Sequence, residues 1–541
     1  MDPHGKSVVN EECKCRYPPE HENFSYFMRS YENAKDLVLL SISLSLTYAY
    51  FGLWPESPDF LAFLAFICFS PFYAFIFRNA SRSLLYMTLV ASMYFLCIGV
   101  SITSHFGIDF RYGLCVGLME CLIQMAVIGV WKRKHSTVDS TLLCLLWLTW
   151  VSIDYIVALA YGIAFLPPIQ LYRYPFLIQP VALFGFSLID AFVIGINILI
   201  GFIMASAMGN RVCVPKNYTR YTILGAACVT TWLIICCVMQ AKQDITNLPS
   251  VKMSTISPGK KFTGDLNDII ELTSRASKID NSQFIVWPEL YINPRHTTNK
   301  TCEGYIESDI LHRLSDIDSY VVIGCDEHID NKECPFANLA FTVSPGGSKI
   351  MGSYGKQHPV TMIGEQSCIR NGYRSYKVDE DSRVNGRTVP DGLTFSTLIC
   401  YDMDFADSAA HVADNGAHFI LNPSEDWTAA RGHFAASVFR AVENRLSVAK
   451  CDWGWDSAII DPFGNLKASY ATKDEHREIL SAEVPILPDR TGWYFIRQNV
   501  FPALCILFLM LYVVANVSKP AHNSLANERS DIEARLVESS S

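Results

Sequence analysis

Long apolar segments divide this chain and leave few architectures open to it. Seven precede a mixed polar stretch and one follows it: 37–54, 59–77, 83–103, 112–131, 141–165, 179–206, 219–239 and 499–517. Each is close to the ~20 residues that a helix needs to cross the hydrocarbon core of a bilayer. Hydrophobic residues make up 50% of the chain and the mean hydropathy is +0.19, both high for a water-soluble protein. We therefore predict a multi-pass membrane protein.

The spacing of these segments predicts five parts. A polar N-terminal segment, 1–36, precedes a seven-helix transmembrane domain, 37–240. Short β-type runs alternate with charged stretches and turns across 245–490, which predicts an α/β domain outside the membrane. A C-terminal transmembrane helix, 497–517, and a disordered tail, 518–541, complete the plan.

The positive charges of the short loops favour one orientation. On the side of the two termini lie Lys6, Lys14, Arg16, Arg29, Lys35, Arg78, Arg82, Lys132, Arg133, Lys134, Arg211, Lys216 and Arg220. The opposite short loops carry only Arg111 and Arg173. The positive-inside rule then predicts cytoplasmic termini and a polar domain on the periplasmic side, or on the lumenal side of a secretory membrane. A net charge of −9 without a long basic block argues against nucleic-acid binding.

Three stretches of the polar domain each place one reactive side chain after a strand-like run. They are FIVWPEL (284–290) with Glu289, GSYGKQHPV (352–360) with Lys356, and LICYD with Cys400. Catalytic groups are often found on loops at the ends of strands. A nucleophilic thiolate needs a nearby cation, a base for its proton and a donor for the oxyanion that forms on attack. Each residue alone is ordinary, but the three together meet these needs.

The order of these motifs resembles the Glu-Lys-Cys triad of the nitrilase, or carbon-nitrogen hydrolase, superfamily. W-P-E, G-K-x-H and I-C-Y-D are followed by LNPSEDW (421–427), HFAASVFRAVENR (433–445) and AIIDPFGN (458–465). The resemblance implies a nitrilase-like α-β-β-α sandwich over 245–490, attached to a multi-pass α-helical membrane domain. It also implies that Glu289, Lys356 and Cys400 are catalytic.

A nitrilase-like domain with seven helices before it and one after it resembles one branch, the apolipoprotein N-acyltransferases. That branch moves an acyl chain from a phospholipid through a cysteine thioester to the N-terminal amine of a lipoprotein. The resemblance implies substrate-binding or oxyanion roles for Tyr401, Glu365 in IGEQS (363–367), Asp402 and Trp427. It implies no cofactor and no metal, a phospholipid donor, a lipoprotein or other amine acceptor, and a monomer in the bilayer.

Two other functions remain open from the sequence. The same triad suits a membrane-anchored carbon-nitrogen hydrolase, an amidase that transfers the acyl group to water. A transporter or receptor with a degenerate nitrilase domain is the non-enzymatic alternative. The complete set of three reactive residues argues against it, as does the small number of intramembrane charges, chiefly Glu120, Asp154 and Asp190.

Several further residues have more ordinary interpretations. Trp453, Trp455, Trp493 and Tyr494 suit core or interfacial packing, and Asp326, Glu327 and His328 suit a solvated loop better than a metal site. At helical spacing, an internal ion-pair network is the favoured interpretation for His433, Arg440, Glu443 and Arg445. Some of Cys302, Cys325, Cys334, Cys368 and Cys451 are expected to pair if the domain faces an oxidising compartment, in a connectivity that the sequence does not give.

Overall fold

The structure is a computed structural model of the 541-residue chain. It describes residues 22–52, 57–105, 109–135, 138–208, 218–243, 247–258, 266–294, 301–331, 333–379, 383–426, 434–453, 456–471, 477–487 and 494–517. The described chain divides into an apolar helical half, an α/β half and a last helix.

The apolar half consists of helices of very different lengths. They are α1 (Glu22–Gly52), α2 (Ser70–Arg78), α3 (Leu84–His105), α4 (Phe110–Lys132), α5 (Ser140–Tyr161), α6 (Pro175–Ile178), α7 (Val181–Phe184), α8 (Phe186–Met208) and α9 (Tyr218–Ala241). Two 3₁₀ helices, Asp59–Phe66 and Ile169–Arg173, lie between them.

Seven helical stretches in the described chain are long and apolar enough to cross a membrane. They are Asp59–Arg78, Leu84–Thr103, Phe110–Lys132, Ser140–Tyr161, Phe186–Met208, Thr219–Ala241 and Ile496–Val517. The chain is therefore a multi-pass membrane protein, as predicted. The first predicted span, 37–54, lies largely in α1, which is not among the seven.

The predicted span 179–206 is broken in the structure. Pro180 precedes the short helix α7, and Gly185, with a φ of 75°, separates α7 from α8. Proline lacks the N–H that would continue a helix, and glycine tolerates this left-handed conformation. Only α8 is long enough to span the membrane, so the residues before it form a connecting turn beside the α/β half.

The α/β half contains two six-stranded mixed sheets. In chain order the strands are β1 (Ser250–Ser257), β2 (Phe284–Val286), β3 (Tyr320–His328), β4 (Phe336–Val343), β5 (Ile350–Gly355), β6 (Ser375–Lys377), β7 (Arg383–Val384), β8 (Arg387–Thr388), β9 (Thr394–Thr397), β10 (Phe419–Pro423), β11 (Ser447–Cys451), β12 (Asp456–Ile460), β13 (Leu466–Ala471) and β14 (Glu478–Pro485). Sheet A runs β14-β1-β2-β3-β4-β5, and sheet B runs β13-β12-β11-β10-β9-β6. Strands β7 and β8 form a separate hairpin.

Both sheets are built on the same plan. Three parallel strands occupy the centre of each sheet, β1-β2-β3 in sheet A and β9-β10-β11 in sheet B, and antiparallel strands flank them. Aromatic rings fill the space between the sheets, where Phe284 of sheet A contacts Phe395 and Phe419 of sheet B with ring centroids 5.3 and 4.7 Å apart. The carboxyl ends of the parallel strands are where ligands usually bind in such sheets.

Helices cover the outer face of each sheet. They are α10 (Leu266–Lys278) on sheet A, with α11 (Cys302–Tyr305) nearby, and α12 (Ala406–Asp414) and α13 (Phe434–Asn444) on the side of sheet B. The final helix is α14 (Tyr494–Val517). This arrangement confirms the predicted fold class, a multi-helix membrane region joined to an α-β-β-α sandwich.

Helix α13 also joins the two halves of the molecule. Its Arg440 and Glu443 form a fully buried ion pair with N and O atoms 3.0 Å apart, and Glu443 accepts the backbone N–H of Phe186 at the start of α8. Arg445 donates to the side chain of Gln179 at 2.8 Å rather than joining that pair. A buried charge is tolerated only when it is paired, so these contacts fix α13 against the membrane helices.

Candidate active site

The predicted reactive residues all follow strand ends that face one another. Glu289 lies three residues after β2, Lys356 directly follows β5, and Cys400 lies three residues after β9. Each is almost completely buried, with 2%, 2% and 3% of its surface exposed, respectively. Their burial in one cluster lets electrostatic interactions between them act with little screening by water.

The Glu289 carboxylate has a partner on each oxygen. Oε1 accepts from Lys356 Nζ at 2.9 Å and from Asn338 Nδ2 at 2.5 Å, and Oε2 accepts the backbone N–H of Glu425 at 2.7 Å. Burial raises the pKa of Glu289, with Glu365 acting in the same direction and the Lys356 ammonium opposing it. A carboxyl group with a raised pKa is suited to proton transfer near neutral pH.

Gly324 of β3 allows the backbone before Glu289 to approach the sheet. A Cβ atom at Gly324 would lie 2.2 Å from the carbonyl oxygen of Pro288 and 2.8 Å from the Cα of Glu289. No side chain fits there, so glycine is required for the position of the carboxylate.

Lys356 bridges Glu289 and Glu365. Its Nζ lies 2.9 Å from Glu289 Oε1 and 2.8 Å from each oxygen of Glu365. Burial alone lowers the pKa of Lys356, but Glu289, Cys400 and Glu365 outweigh it and raise that pKa well above its ordinary value. Burial similarly opposes ionisation of Glu365, yet Lys356 holds its pKa below the usual range. Lys356 is therefore a fixed cation beside the thiol.

Cys400 begins a tight turn with a strained backbone. Its φ is 45°, which is unusual for a residue with a side chain, and it starts the 3₁₀ helix Cys400–Asp404. Strain of this kind persists only where the surroundings impose it, and it is frequent at functional sites. The sharp turn between a strand and a helix separates the thiol from the regular hydrogen bonding of β9.

Asp402 fastens this turn to the loop of Lys356. One oxygen accepts the backbone N–H groups of Gln357 and His358, at 3.1 and 2.7 Å, and the other accepts from Tyr354 Oη and the N–H of Ile399. Asp402 has no exposed surface. Burial raises its pKa, with His358 and Tyr354 opposing that effect. All four of these hydrogen bonds tie the turn of Cys400 to its neighbours, and a role of Asp402 in substrate binding or oxyanion stabilisation stays a prediction.

Tyr401 connects the turn that Cys400 begins to a membrane helix. Its hydroxyl donates to the backbone carbonyl of Tyr161, the last residue of α5. The next residue, Gly162, has a φ of 72°, and a Cβ atom there would lie 2.4 Å from Cβ of Asp404. The turn after Cys400 is therefore packed directly against the end of a transmembrane helix.

Three site residues were not identified from the sequence. Asn338 donates to both Glu289 and Glu365, Asp426 lies 3.7 Å from Cys400 Sγ, and Lys450 pairs with Asp426 at 2.7 Å. The only signal for Lys450 is a charge inside the apolar strand run LSVAKC. The predicted site residue Trp427 lies outside the described residues.

The remaining sequence interpretations have mixed outcomes. Trp453 donates to the backbone carbonyl of Glu289 at 2.6 Å and so helps to fix the backbone that carries the Glu289 carboxylate. Tyr494 is buried at the start of α14. Asp326 accepts from Asn293, and no group of three potential metal ligands occurs among the residues that the structure describes. His433, Trp455 and Trp493 lie outside the described residues.

Two disulfide bonds lie in the α/β half. Cys302 pairs with Cys325, and Cys334 pairs with Cys368, whereas Cys400 and Cys451 are buried thiols outside these two bridges. The second bridge ties the residues before β4 to the loop that carries Glu365. Disulfide bonds of this kind are typical of domains that fold in an oxidising compartment.

One cavity is lined by Tyr401, and a second lies next to it among the membrane helices. An apolar cavity of about 110 Å³ lies among α3, α4 and α5, and a more polar one of about 190 Å³ lies beside Tyr401, with His358 and Arg370 in its wall. Tyr161 and Met362 line both cavities. The apolar cavity among the membrane helices and the polar cavity beside Tyr401 thus have two wall residues in common.

Sequence comparisons agree with this architecture. Residues 250–486 match the carbon-nitrogen hydrolase family. Apolipoprotein N-acyltransferase 1 of Treponema denticola is 22% identical over 456 residues, which cover 73% of this chain and 80% of that protein. The apolipoprotein N-acyltransferase of Rickettsia typhi is 22% identical over 414 residues, covering 70% of this chain and 77% of that protein.

Other matches are more limited. Apolipoprotein N-acyltransferase 2 of Treponema denticola is 24% identical over 254 residues, and this chain spans only 46% of its length. Among solved structures, an amidase from Nesterenkonia sp. matches with a TM-score of 0.37 and 16% identity, covering 48% of this chain and 96% of the amidase. The matches to apolipoprotein N-acyltransferase 1 of Treponema denticola and to the Rickettsia typhi protein extend beyond the α/β half.

Proposed function

Because this chain is apolipoprotein N-acyltransferase-like, with a carbon-nitrogen hydrolase domain of the nitrilase superfamily joined to membrane helices, we propose that it is a membrane-bound N-acyltransferase. In this proposal the donor is a membrane phospholipid and the acceptor is the N-terminal amine of a lipoprotein. Cys400 is the nucleophile, Glu289 the general base and acid, and Lys356 an oxyanion donor.

The observation that carries the proposal is the apolar cavity that shares Tyr161 and Met362 with the polar cavity beside Tyr401. A phospholipid has an apolar tail and a polar head, and its ester bond lies between them. Moving an acyl chain into water costs about 0.8 kcal/mol per CH₂ group, so the tail needs an apolar path to the nucleophile. A small soluble amide needs no such path, which favours the lipid donor over the amidase alternative.

The first half-reaction forms the thioester. Cys400 Sγ attacks the ester carbonyl carbon while Glu289 takes the thiol proton. The Lys356 ammonium and the backbone N–H of Tyr401 stabilise the oxyanion, and one such donor contributes about 3 kcal/mol. When the tetrahedral intermediate collapses, the carbon–oxygen bond breaks and Glu289 returns the proton to the leaving lysophospholipid.

The second half-reaction consumes the thioester. The neutral amine of the acceptor attacks the thioester carbonyl, and Glu289 takes a proton from the attacking nitrogen. The carbon–nitrogen bond forms, the carbon–sulfur bond breaks, and the proton passes to the departing thiolate of Cys400. Both half-reactions use the same oxyanion donors, since the carbonyl carbon occupies the same place.

We place the α/β domain on the periplasmic or lumenal side of the membrane. The distribution of basic residues favours that orientation, and the pairs Cys302–Cys325 and Cys334–Cys368 support an oxidising environment. Lipoprotein termini and the outer leaflet of the membrane are both accessible there.

The test is to find the acyl-enzyme. Purified full-length protein is incubated with phospholipid carrying a labelled acyl chain, and its intact mass is measured with and without hydroxylamine. We expect a hydroxylamine-labile acyl adduct on the wild type and on Cys451→Ala, a control at a second buried thiol, but not on Cys400→Ala. Adding a diacylated lipopeptide should discharge the adduct and acylate the peptide amine.

Two results would contradict the proposal. An adduct on Cys400→Ala would assign the nucleophile to another residue. Turnover of small amides by a wild-type enzyme that phospholipid never acylates would identify an anchored amidase instead.

A further inference from the structure

A second buried lysine–carboxylate pair, Asp426–Lys450, lies beside Cys400 in addition to the Glu289–Lys356 pair. Asp426 follows β10 and Lys450 lies within β11, two parallel neighbours in which Asn422 pairs with Lys450 and Pro423 with Cys451. The parallel register brings both side chains to the edge of sheet B at which β9 delivers Cys400. Neither residue belongs to the Glu-Lys-Cys triad.

The contacts form a continuous chain to the sulfur. Cys400 Sγ donates to Asp426 Oδ1 at 3.7 Å, and Asp426 Oδ2 accepts from Lys450 Nζ at 2.7 Å. Lys450 also lies 3.8 Å from Asp452 Oδ2, which in turn accepts the backbone N–H of Asp426 at 2.7 Å. A second bond from Lys450 Nζ goes to the carbonyl of Asp456 at 3.3 Å. One carboxylate thus holds the thiol and the ammonium at once.

Burying the charges of this cluster costs free energy. Asp426, Lys450 and Asp452 expose 1% or less of their surface. Buried ion pairs are often no more stabilising than apolar residues of the same size, so stability alone is a weak reason for one here. Asp426 and Asp452, together with Cys400, raise the pKa of Lys450 although burial lowers it, so Lys450 stays a cation.

We propose that Asp426 and Lys450 are positioning residues that set the direction and the ionisation of the Cys400 thiol. Asp426 holds the S–H group in the resting enzyme, and Lys450 neutralises Asp426 and places a second positive charge near the sulfur. This proposal rests on Cys400 being the nucleophile of the proposed function.

Charges from several elements act on the sulfur, and they predict opposite effects for the two residues. Lys356, Lys450 and Tyr401 interact electrostatically with Cys400, Asp426 contacts it, and Glu289, Glu365 and Asp452 are paired with those lysines. Removing the cation Lys450 disfavours the thiolate, because a positive charge near the sulfur is lost. Removing the charge of Asp426 favours the thiolate, because a negative charge in contact with the sulfur is lost while Lys450 remains.

The experiment measures the reactivity of Cys400 directly. Full-length wild type, Lys450→Met and Asp426→Asn are treated with iodoacetamide from pH 5 to 10, and alkylation of the Cys400 peptide is followed by mass spectrometry. We expect the alkylation midpoint of Lys450→Met to move to higher pH, with about tenfold slower alkylation below the midpoint, from the loss of one close charge. The midpoint of Asp426→Asn should move to lower pH.

Two further variants separate this role from a purely structural one. Lys450→Arg keeps the positive charge and should have the alkylation midpoint of the wild type. Lys450→Met/Asp426→Leu removes both charges, so its midpoint should also lie close to that of the wild type. Equal midpoints in all folded variants, or shifts of the same sign for the two single variants, would overturn the proposal. The rate of acyl-enzyme formation at fixed pH should follow the same order.

The outcomes also separate the two proposals. If no variant is acylated by phospholipid but the alkylation midpoints move in opposite directions, the lipid-donor proposal fails and the role of Asp426 and Lys450 stands. If phospholipid acylates Cys400 and the alkylation midpoints do not move, the lipid-donor proposal stands and the role of Asp426 and Lys450 fails.

Discussion

Asn338 is the donor that connects the two carboxylates of the Lys356 cluster. Its Nδ2 bonds Glu289 Oε1 at 2.5 Å and Glu365 Oε1 at 3.0 Å. A hydrogen bond to the ionised form of an acid lowers its pKa, and Asn338 acts on Glu289 in this direction against the larger effect of burial. One amide therefore helps to keep the proposed base ionised.

We expect Asn338→Leu to move the acidic limb of acyl-enzyme formation to higher pH. Without the donor the pKa of Glu289 rises further, and a base acts only when it is ionised, so more of the enzyme is inactive at a given acidic pH. The measurement is the rate of adduct formation against pH by intact mass. Thr342→Val, a buried polar change further along β4, is the control and should leave the limb in place. If the acidic limb of the rate–pH profile of Asn338→Leu is unchanged, or lies at lower pH than in the wild type, this account is contradicted.

At the scale of elements, strand ends explain most of what could be predicted. The apolar runs before Glu289 and Cys400 stop at a proline or at a sharp turn, so the sequence itself indicates where a side chain leaves the sheet. The Asp426–Lys450 pair could not be found in this way, because it depends on β10 and β11 being parallel neighbours. Sheet order is a property of the whole fold, and the residues between strands do not encode it locally.

Helix boundaries show a similar limit. Hydropathy reads 179–206 as one span, because the averaged apolar character hides the breaks at Pro180 and Gly185. The turn they create brings Gln179 to Phe463, whose carbonyl accepts from the Gln179 amide at 2.8 Å. The break therefore serves contact between the two halves, which averaging along the sequence does not capture.

The disulfide Cys334–Cys368 should affect catalysis as well as stability. It closes a loop with a sequence separation of 34 that contains β4, β5, Lys356 and Glu365. We expect Cys334→Ser/Cys368→Ser to lower the free energy of unfolding by about 2–4 kcal/mol and to slow acyl-enzyme formation, because the loop of Glu365 is freed. Thermal unfolding in detergent and the single-turnover rate measure the two effects.

Cys302→Ser/Cys325→Ser is the matched control for this bridge. It ties α11 to β3 and does not close the loop that contains Glu365, so it should lower stability with a smaller effect on the rate. Equal slowing in both double variants would show that the Cys334–Cys368 bridge has no special influence on the Lys356 cluster.

At the scale of the whole molecule, the buried pair Arg440–Glu443 joins the sandwich to the membrane helices. We expect Glu443→Gln to destabilise the folded protein by about 3–5 kcal/mol, because it leaves a buried, unpaired guanidinium. The glutamine oxygen can still accept the N–H of Phe186, so the loss reports mainly on the charge. Denaturant unfolding in detergent measures it.

An exposed pair provides the comparison. Glu483→Gln removes a partner of Arg387 at the surface and should cost less than about 1 kcal/mol. Replacing both buried charges, as in Arg440→Met/Glu443→Leu, should recover much of the loss. If Glu443→Gln is as mild as Glu483→Gln, the Arg440–Glu443 pair does not hold the two halves together.

The oxidising environment that the two disulfide bonds indicate also exposes the Cys400 thiol, which is in neither bond, to oxidation. An environment that oxidises Cys302, Cys325, Cys334 and Cys368 also converts an accessible thiolate to sulfenic acid and beyond. Because Cys400 is only 3% exposed, in the proposed mechanism an oxidant shares the route by which the lipid acyl chain reaches the thiol. A bound acyl chain would then block the access of peroxide to Cys400. Enzyme without bound lipid would be the form that peroxide inactivates most easily.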